Sequence, residues 1–241
     1  LETLTACPVC NGSSLSPVTN GHAPGSMCVE CGTVFLNPRM DDASAAAYYQ
    51  GAYRDQVNSA NVEDEVDRQR QRDRAHYHLH ACWDYIETAR TMLEIGCSMG
   101  YMMDKMNINF DTECVGVEPD TRYHTIDPAC NFKLYRDARE VLPREFDLIV
   151  MSHSLEHMQH PREFLKELTI CNAHAGTRFL IEVPNYELTP GTLNDHHPFA
   201  FTEATLNGLL ARAGYALLMF VKHGLTFSRD PYYLLGVYGR V

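Results

Sequence analysis

An α/β fold is what this sequence predicts: a doubly wound sheet with helices on both faces, preceded by a small cysteine-bearing module. Three observations carry that expectation. From Met92 onward short apolar runs alternate with helical segments, the pattern of strands that cross over to parallel neighbours. The first run ends in an acid and a glycine-punctuated turn, Met92-Leu93-Glu94-Ile95-Gly96-Cys97-Ser98-Met99-Gly100, which opens a helix. Two CxxC knuckles stand well ahead of it, Cys7-Pro8-Val9-Cys10 and Cys28-Val29-Glu30-Cys31.

The knuckles are separated by 17 residues, the spacing of a four-cysteine zinc ribbon in which tight turns bring four thiolates around a tetrahedral Zn²⁺. Asn11-Gly12-Ser13, Asn20-Gly21 and Pro24-Gly25 lie between or beside them with few apolar residues, so residues 1–40 depend on metal to fold. Phe35-Leu36-Asn37-Pro38-Arg39 then leads to a helix with an acidic start, Asp41-Asp42-Ala43-Ser44, that runs into Tyr48-Tyr49. A long helix is expected over 61–88, acidic early at Glu63, Asp64, Glu65 and Asp67 and basic later, which complements the helix dipole. Residues 41–90 therefore read as a helical linker and cap, and 91–241 as the main domain.

Within that domain strands are expected near 91–95, 114–118, 132–135, 146–151, 177–183, 215–223 and 232–240. Helices are expected near 99–107, 121–128, 161–172 and 203–213. Met99, Met102, Met103 and Met106 follow helical spacing and read as the face packed on the sheet. Cys82, Cys114, Cys130 and Cys171 lie in apolar or helical contexts and read as small buried hydrophobes.

The turn at Gly96 to Gly100 reads as a nucleotide-type cofactor site, because glycine permits positive φ and lets backbone amides approach a ligand. The next strand ends in Glu118, 24 residues after Glu94, where a carboxylate can accept both hydroxyls of a ribose. Dinucleotides and S-adenosylmethionine both use such an arrangement. The order of Gly96, Cys97, Ser98, Met99 and Gly100, with an acid two residues earlier, is not GxGxxG. It resembles motif I of the class I S-adenosylmethionine-dependent methyltransferases.

The resemblance continues over roughly residues 60–241. Asp137-Ala138, Leu142-Pro143 and Phe146-Asp147-Leu148-Ile149-Val150 resemble the adenine-contacting segment and fourth strand of that family. Ser152-His153-Ser154-Leu155-Glu156-His157, with Pro161 and Phe164-Leu165-Lys166-Glu167-Leu168 after it, is similar to the active-site motif and its helix. Phe179-Leu180-Ile181-Glu182-Val183-Pro184-Asn185 matches the fifth strand and its exit. Ser98 stands where many members have glycine, and Gly176 stands alone where a Pro-Gly-Gly turn is common. The resemblance implies a seven-stranded Rossmann-like sheet whose last strand is antiparallel. It also implies cofactor contacts from Glu94, Gly96, Cys97, Ser98, Gly100 and Tyr101, from Glu118 and Pro119, from Asp137 and Ala138, and from Ser152 and His153. Motif I contributes mainly backbone groups, so Cys97 is not read as a catalytic thiol.

Methyl transfer is an in-line displacement that gains much of its rate from positioning, and a hydroxyl or acidic carbon must also lose a proton. Histidine suits that task, and His153, His157, His196 and His197 follow strand ends where ligands bind in such sheets. The ribbon and the layout are similar to nucleotide-sugar C-methyltransferases, in which a Tyr-x-Glu-His tetrad lies where this chain has Asn194-Asp195-His196-His197. The histidine is kept at 197, the tyrosine and glutamate are not, and the long C-terminal domain of those enzymes has no counterpart. His157 reads either as a base or as a structural histidine. Tyr48, Tyr49 and Tyr53 resemble the joint of ribbon-bearing methyltransferases, where they either face the sulfonium or simply pack. His160 with Pro161 reads as a helix-start residue, and His76 and His80 as surface or packing groups.

Four ribbon sulfurs also suit iron, but a redox centre has no evident partner in a methyltransferase, and disulfides do not suit a cytoplasmic setting. The expected substrate is a small molecule or a sugar or glycan precursor. An RNA or protein methyltransferase that captures substrate with the ribbon, and a non-catalytic assembly protein that keeps the cofactor fold, are the alternatives. Composition weighs against nucleic acid: the formal charge is -11, opposing the counterion release that phosphate binding depends on. Arg68, Arg70, Arg72 and Arg74 alternate with Gln and Asp and read as a solvated helix face. Hydrophobic content of 45% suits a globule, and runs such as Ala216–Val221 fall far short of the ~18 residues that span a bilayer. The first residues, Leu1-Glu2-Thr3, carry no charged-then-apolar pattern, which reads as a cytoplasmic protein.

Overall fold

The computed structural model describes residues 1–19, 23–53, 65–124, 132–141, 143–225 and 228–241. Asn20, Gly21, Glu63, Asp64, Cys130, Leu142 and residues 125–128 of the expected helix lie outside the described residues.

Seven strands form the main sheet: β4 (Thr91–Ile95), β5 (Glu113–Val117), β6 (Lys133–Tyr135), β7 (Phe146–Ser152), β8 (Ala173–Pro184), β10 (Tyr215–His223) and β11 (Tyr233–Arg240). Their order is β10-β11-β8-β7-β4-β5-β6. β4 pairs in parallel with both β5 and β7, β5 with β6 and β7 with β8, whereas β11 runs antiparallel between β8 and β10. The sheet is therefore seven-stranded and mixed, as the resemblance implied. β4 and β7 sit at its centre, and their near-continuous apolar runs are buried on both faces, from Met92, Leu93 and Ile95 to Leu148, Ile149, Val150 and Met151. Strand order reverses around β4, which places the carboxyl ends of β4, β5 and β7 at the crevice where ligands bind in this architecture.

Helices cover both faces. The helix α1 (Asp42–Ala47) is capped by Asp41, whose side chain accepts from the Ser44 amide, and it passes into a π-helical turn at Tyr48–Ala52. The expected long helix is α2 (Glu65–Ala81), broken at Cys82 before the short α3 (Trp83–Ile86). α2 buries Ala75, His78 and Leu79, an i, i+3, i+4 stripe against the sheet. In α4 (Tyr101–Phe110) Met102, Met103 and Met106 face the sheet as their spacing predicted. Pro161 at the first position of α5 (Pro161–Asn172) supplies a preset φ, with His160 before it reaching Asp42 Oδ1 at 2.9 Å. A Thr202/Thr205 capping box starts α6 (Glu203–Arg212) and lays Leu206, Leu209 and Leu210 on the core.

The cysteine module is not a separate bead. Its strands β1 (Leu15–Thr19), β2 (Pro24–Cys28) and β3 (Val34–Leu36) form a sheet completed by β9 (Phe199–Ala200), in the order β1-β2-β3-β9. Val34 lies opposite Ala200 and Phe35 opposite Phe199, and the Leu36 amide donates to Pro198 O at 2.9 Å. Phe35, Phe199, Phe201 and Leu206 share one core. The segment that carries His196 and His197 is thus stitched to the cysteine module. No described helix is long and apolar enough to cross a membrane.

Candidate active site

One cavity of about 510 Å³ opens at the carboxyl ends of the central strands. Its floor is the turn after β4, where Gly96, Ser98 and Gly100 all take positive φ, at 75°, 47° and 73°. Gly96 has a second constraint, since a Cβ there would lie 3.0 Å from the Ser154 Cβ. The Gly96 and Cys97 amides donate to Val117 O at 2.7 and 3.0 Å, tying the turn to the end of β5. Ser98 takes the left-handed conformation that a glycine would take freely.

Glu118, at the end of β5, is buried and accepts from the Ser98 amide at 3.0 Å and the Asp120 amide at 3.1 Å, so its carboxylate is held at the cavity wall. Glu94 sits deeper. Burial pushes its carboxyl up to about 8, and Oε2 has no hydrogen-bond partner among the described residues. Asp137 caps a 3₁₀ turn by accepting from the Arg139 amide at 2.9 Å and pairs with the Arg139 guanidinium, which lowers its carboxyl.

The opposite wall is a cluster of histidines, tyrosines and acids. His157 lies in the 3₁₀ turn after β7 with its Nδ1 2.6 Å from His196 O; a carbonyl only accepts, so the proton sits on Nδ1 and the Nε2 lone pair is exposed to the site. Its Nε2 stands 3.5 Å from Tyr53 Oη. Burial pushes the His157 imidazole down to about 4. His197 repeats the arrangement, donating from Nδ1 to Thr192 O at 3.0 Å, with burial lowering its imidazole. The two rings are 4.6 Å apart between centroids. Glu156 is buried beside them; desolvation would raise its carboxyl, but His153 above all holds it down at about 2.

His153 has a different environment. Its Nδ1 is 3.3 Å from Glu156 Oε1 and its Nε2 is 3.0 Å from Glu182 Oε1. Burial and Arg74 push the imidazole down, yet the two carboxylates prevail and raise it. Tyr49 donates to His196 O at 2.6 Å, its phenol pushed well up by burial, and Tyr48 stacks on His196 at 5.7 Å while bonding its Nδ1.

Glu182, fully buried in β8, joins this wall to the cap. Arg74 Nε lies 2.6 Å from its Oε1, and His78 Nε2 and His223 Nε2 each lie 2.8 Å from its Oε2. Desolvation alone would raise the Glu182 carboxyl; His78 and Arg74 outweigh it and hold it well below the usual range.

In the cysteine module the four sulfurs of Cys7, Cys10, Cys28 and Cys31 lie within 4.8 Å of one another, with Cys7 and Cys31 3.6 Å apart and Cys10 and Cys28 3.5 Å apart. A tetrahedral zinc with Zn–S bonds of about 2.3 Å needs sulfurs about 3.8 Å apart, so the set fits the ion.

The methyltransferase-domain family matches residues 66–219. The chain belongs to that family. Among solved structures, this methyltransferase-domain chain is similar to a Burkholderia thailandensis 1,6-didemethyltoxoflavin-N1-methyltransferase with bound 1,6-didemethyltoxoflavin and S-adenosylhomocysteine, at a TM-score of 0.66 and 15% identity over 94% of this chain and 99% of that one. It is also similar to the glycopeptide N-methyltransferase MtfA complexed with S-adenosylmethionine, at 0.55 and 13% over 70% and 94%. A third is the Haloferax volcanii complex of the Trm112 methyltransferase activator with a methyltransferase, at 0.55 and 14% over 75% and 97%. Likeness at such identities concerns the fold. No curated protein sequence matches the chain.

Most of the sequence-predicted residues converge in this methyltransferase-domain protein. Glu94, Gly96, Cys97, Ser98 and Tyr101 line the cavity together with Glu118 and Pro119, Asp137 and Ala138, and Ser152, His153 and His157. Gly100 caps α4 without lining it, and His196 and His197 stand behind His157. Tyr49 and Tyr53 line the cavity too, whereas Tyr48 braces His196. The sequence reading expected the helix α2 but not its part in the cavity: Arg70 lines the cavity while staying exposed, and Arg74, expected on a solvated face, lines it with its side chain only 15% exposed. It also missed Glu182, whose one signal is a lone acid among apolar residues in a central strand.

Proposed function

We propose that the chain is an S-adenosylmethionine-dependent methyltransferase acting on a small molecule or a sugar precursor, with zinc held structurally by Cys7, Cys10, Cys28 and Cys31. The observation that carries this reading is the single cavity that has Glu118 and the glycine turn on one side and His157 on the other. S-adenosylmethionine supplies a methyl group on a sulfonium. Glu118 accepts the ribose hydroxyls, Asp137 the adenine amino group, and the unpartnered Oε2 of Glu94 receives a cationic group of the cofactor. The amides of the Gly96–Gly100 turn admit the ligand backbone-close.

His157 is the acceptor-side group best placed to act on a substrate proton. Its imidazole is neutral at neutral pH, its Nδ1 is fixed on His196 O, and its Nε2 faces the site. His197 and His196 hold their places behind it through Thr192 and Tyr48. His153 has both nitrogens on carboxylates, so its part is to carry charge and to position Glu156 and Glu182. Calorimetry with S-adenosylhomocysteine tests the reading, followed by a panel of sugar nucleotides and small hydroxy acids. Binding is expected and Glu118→Ala is expected to weaken it; absence of binding to the zinc-loaded protein overturns the reading.

A further inference from the structure

Outside the cysteine module, one other group of side chains among the described residues brings metal-ligating atoms together: a Glu156 oxygen and ring nitrogens of His157 and His197, all within 4.8 Å of one another. Two imidazoles and a carboxylate are the ligand set of many divalent transition-metal sites. Proximity alone would be weak, since buried histidines often gather around an acid.

What distinguishes this cluster is the other atom of each group. A metal-binding imidazole donates its second ring nitrogen to a carbonyl or carboxylate, which fixes the tautomer and aims the lone pair at the ion. Here His157 Nδ1 is on His196 O at 2.6 Å and His197 Nδ1 is on Thr192 O at 3.0 Å. Glu156 differs, since His153 Nδ1 stands 3.3 Å from Oε1 as an ion pair, and neither carboxylate oxygen has a hydrogen-bond partner among the described residues. Glu156 is 1% exposed. A buried carboxylate without a hydrogen-bond partner is costly, and in the same cluster His157 Nε2 has the long 3.5 Å contact to Tyr53 Oη.

We propose that Glu156 Oε2, His157 Nε2 and His197 Nε2 bind a divalent first-row transition cation at the acceptor side of the cavity. The inference rests on the methyltransferase reading only for its chemical use. Metal–nitrogen bonds of about 2.0–2.1 Å require the three ligand atoms, within 4.8 Å of one another, to draw closer around the ion. Three protein ligands leave positions open toward the cavity that His157 lines. An acceptor oxygen fills one of them, so the substrate class is a hydroxyl compound with a second oxygen in chelating range, such as a vicinal diol or a hydroxy acid. Coordination lowers the hydroxyl pKa; with the cation bound the proton passes to solvent and His157 is a ligand, whereas without it His157 keeps its role as base.

The test uses Co²⁺ added to the full chain with its four cysteines already loaded with zinc, followed by calorimetry and visible absorption. One further equivalent is expected, with the weak bands of nitrogen- and oxygen-bound cobalt and no thiolate charge transfer. Glu156→Gln and His197→Gln are each expected to weaken it at least tenfold while leaving S-adenosylhomocysteine affinity unchanged. No second equivalent, cobalt entering only the thiolate site, or uptake indifferent to both substitutions overturns the inference. Cofactor binding measured on the same samples separates the two claims: binding without cobalt uptake sinks the cation site alone, and cobalt uptake without cofactor binding sinks the methyltransferase reading alone.

Discussion

The wall of the cavity proposed to hold the cofactor, here the cofactor wall, is built from three consecutive strand ends, at β4, β5 and β6, each supplying one short run of neighbouring residues; the wall opposite is the proposed acceptor wall. The acceptor wall gathers the tyrosines near 50, the cap helix α2, the turn after β7 and the segment before β9; Tyr48 and His196, which bond to each other, are 148 residues apart. Local backbone rules hold the first wall, namely positive φ at Gly96, Ser98 and Gly100 and amides donating to Glu118. Long-range packing holds the second. Its histidine segment is anchored by β9 on the cysteine module, and Arg39 of that module reaches Gln159 O at 2.5 Å, two residues past His157. The acceptor wall should therefore fail first when distant supports are removed.

Removing the proposed zinc is the severest way to break the comparison. Structural zinc contributes about 10–16 kcal/mol of folding free energy in zinc-finger peptides, so chelation or Cys28→Ser is expected to unfold the module and release β9. Hydrogen exchange should show residues 185–201 losing protection. Affinity for S-adenosylhomocysteine should change by less than about threefold, roughly 0.6 kcal/mol.

Glu182→Gln comes next. It leaves Arg74, His78, His153 and His223 without their common carboxylate, and breaking a buried pair costs about 3–5 kcal/mol. Urea unfolding at pH 7 should show a loss of that order. The Glu182 carboxyl is held below its unfolded value, so its stabilisation is present above the unfolded pKa and lost as pH falls toward the folded one. The variant should accordingly show a flatter acid limb in stability against pH.

Glu118→Ala probes the other wall. Hydrogen bonds to charged groups contribute about 1.5–3 kcal/mol, so S-adenosylhomocysteine should bind roughly 10- to 100-fold more weakly. Exchange protection of 185–201 should not change. The smallest effect concerns Glu94, protonated below about 8 in the free protein. A cationic group arriving at its Oε2 lowers that value and expels the proton, so affinity should rise with pH up to about 8. Calorimetry in two buffers of different ionisation enthalpy should count close to one proton released at pH 7, and Glu94→Gln should abolish it.

The same contrast explains what the sequence made legible. Glu94 to Gly100, Glu118 and Asp137 are contiguous words whose residue types are dictated by a turn and a strand end, and the central strands read directly from apolar runs such as Phe146–Ser152. The acceptor wall had such words only in Ser152–His157 and Asn194–His197, and the partners that assemble around them had none. His78 sits in a polar helix, and only the fold shows that it meets Glu182. Phe199-Ala200 is two residues long, too short for a periodicity, and its pairing with β3 is a matter of tertiary contact. The break at Cys82 likewise follows from packing, since that residue is fully buried where the long helix had been expected to continue. Glu156 was visible in the motif after β7, but nothing in the sequence marked its oxygen as unpartnered.

Hydrogen exchange on the zinc-loaded and zinc-stripped chain, each with and without S-adenosylhomocysteine, tests the account most directly. It predicts that the ligand protects the segments around Ser98 and Glu118 in both forms, and that zinc removal exposes 185–201 in both. Protection of 185–201 that survives zinc removal, or ligand protection that vanishes with the zinc, would contradict it.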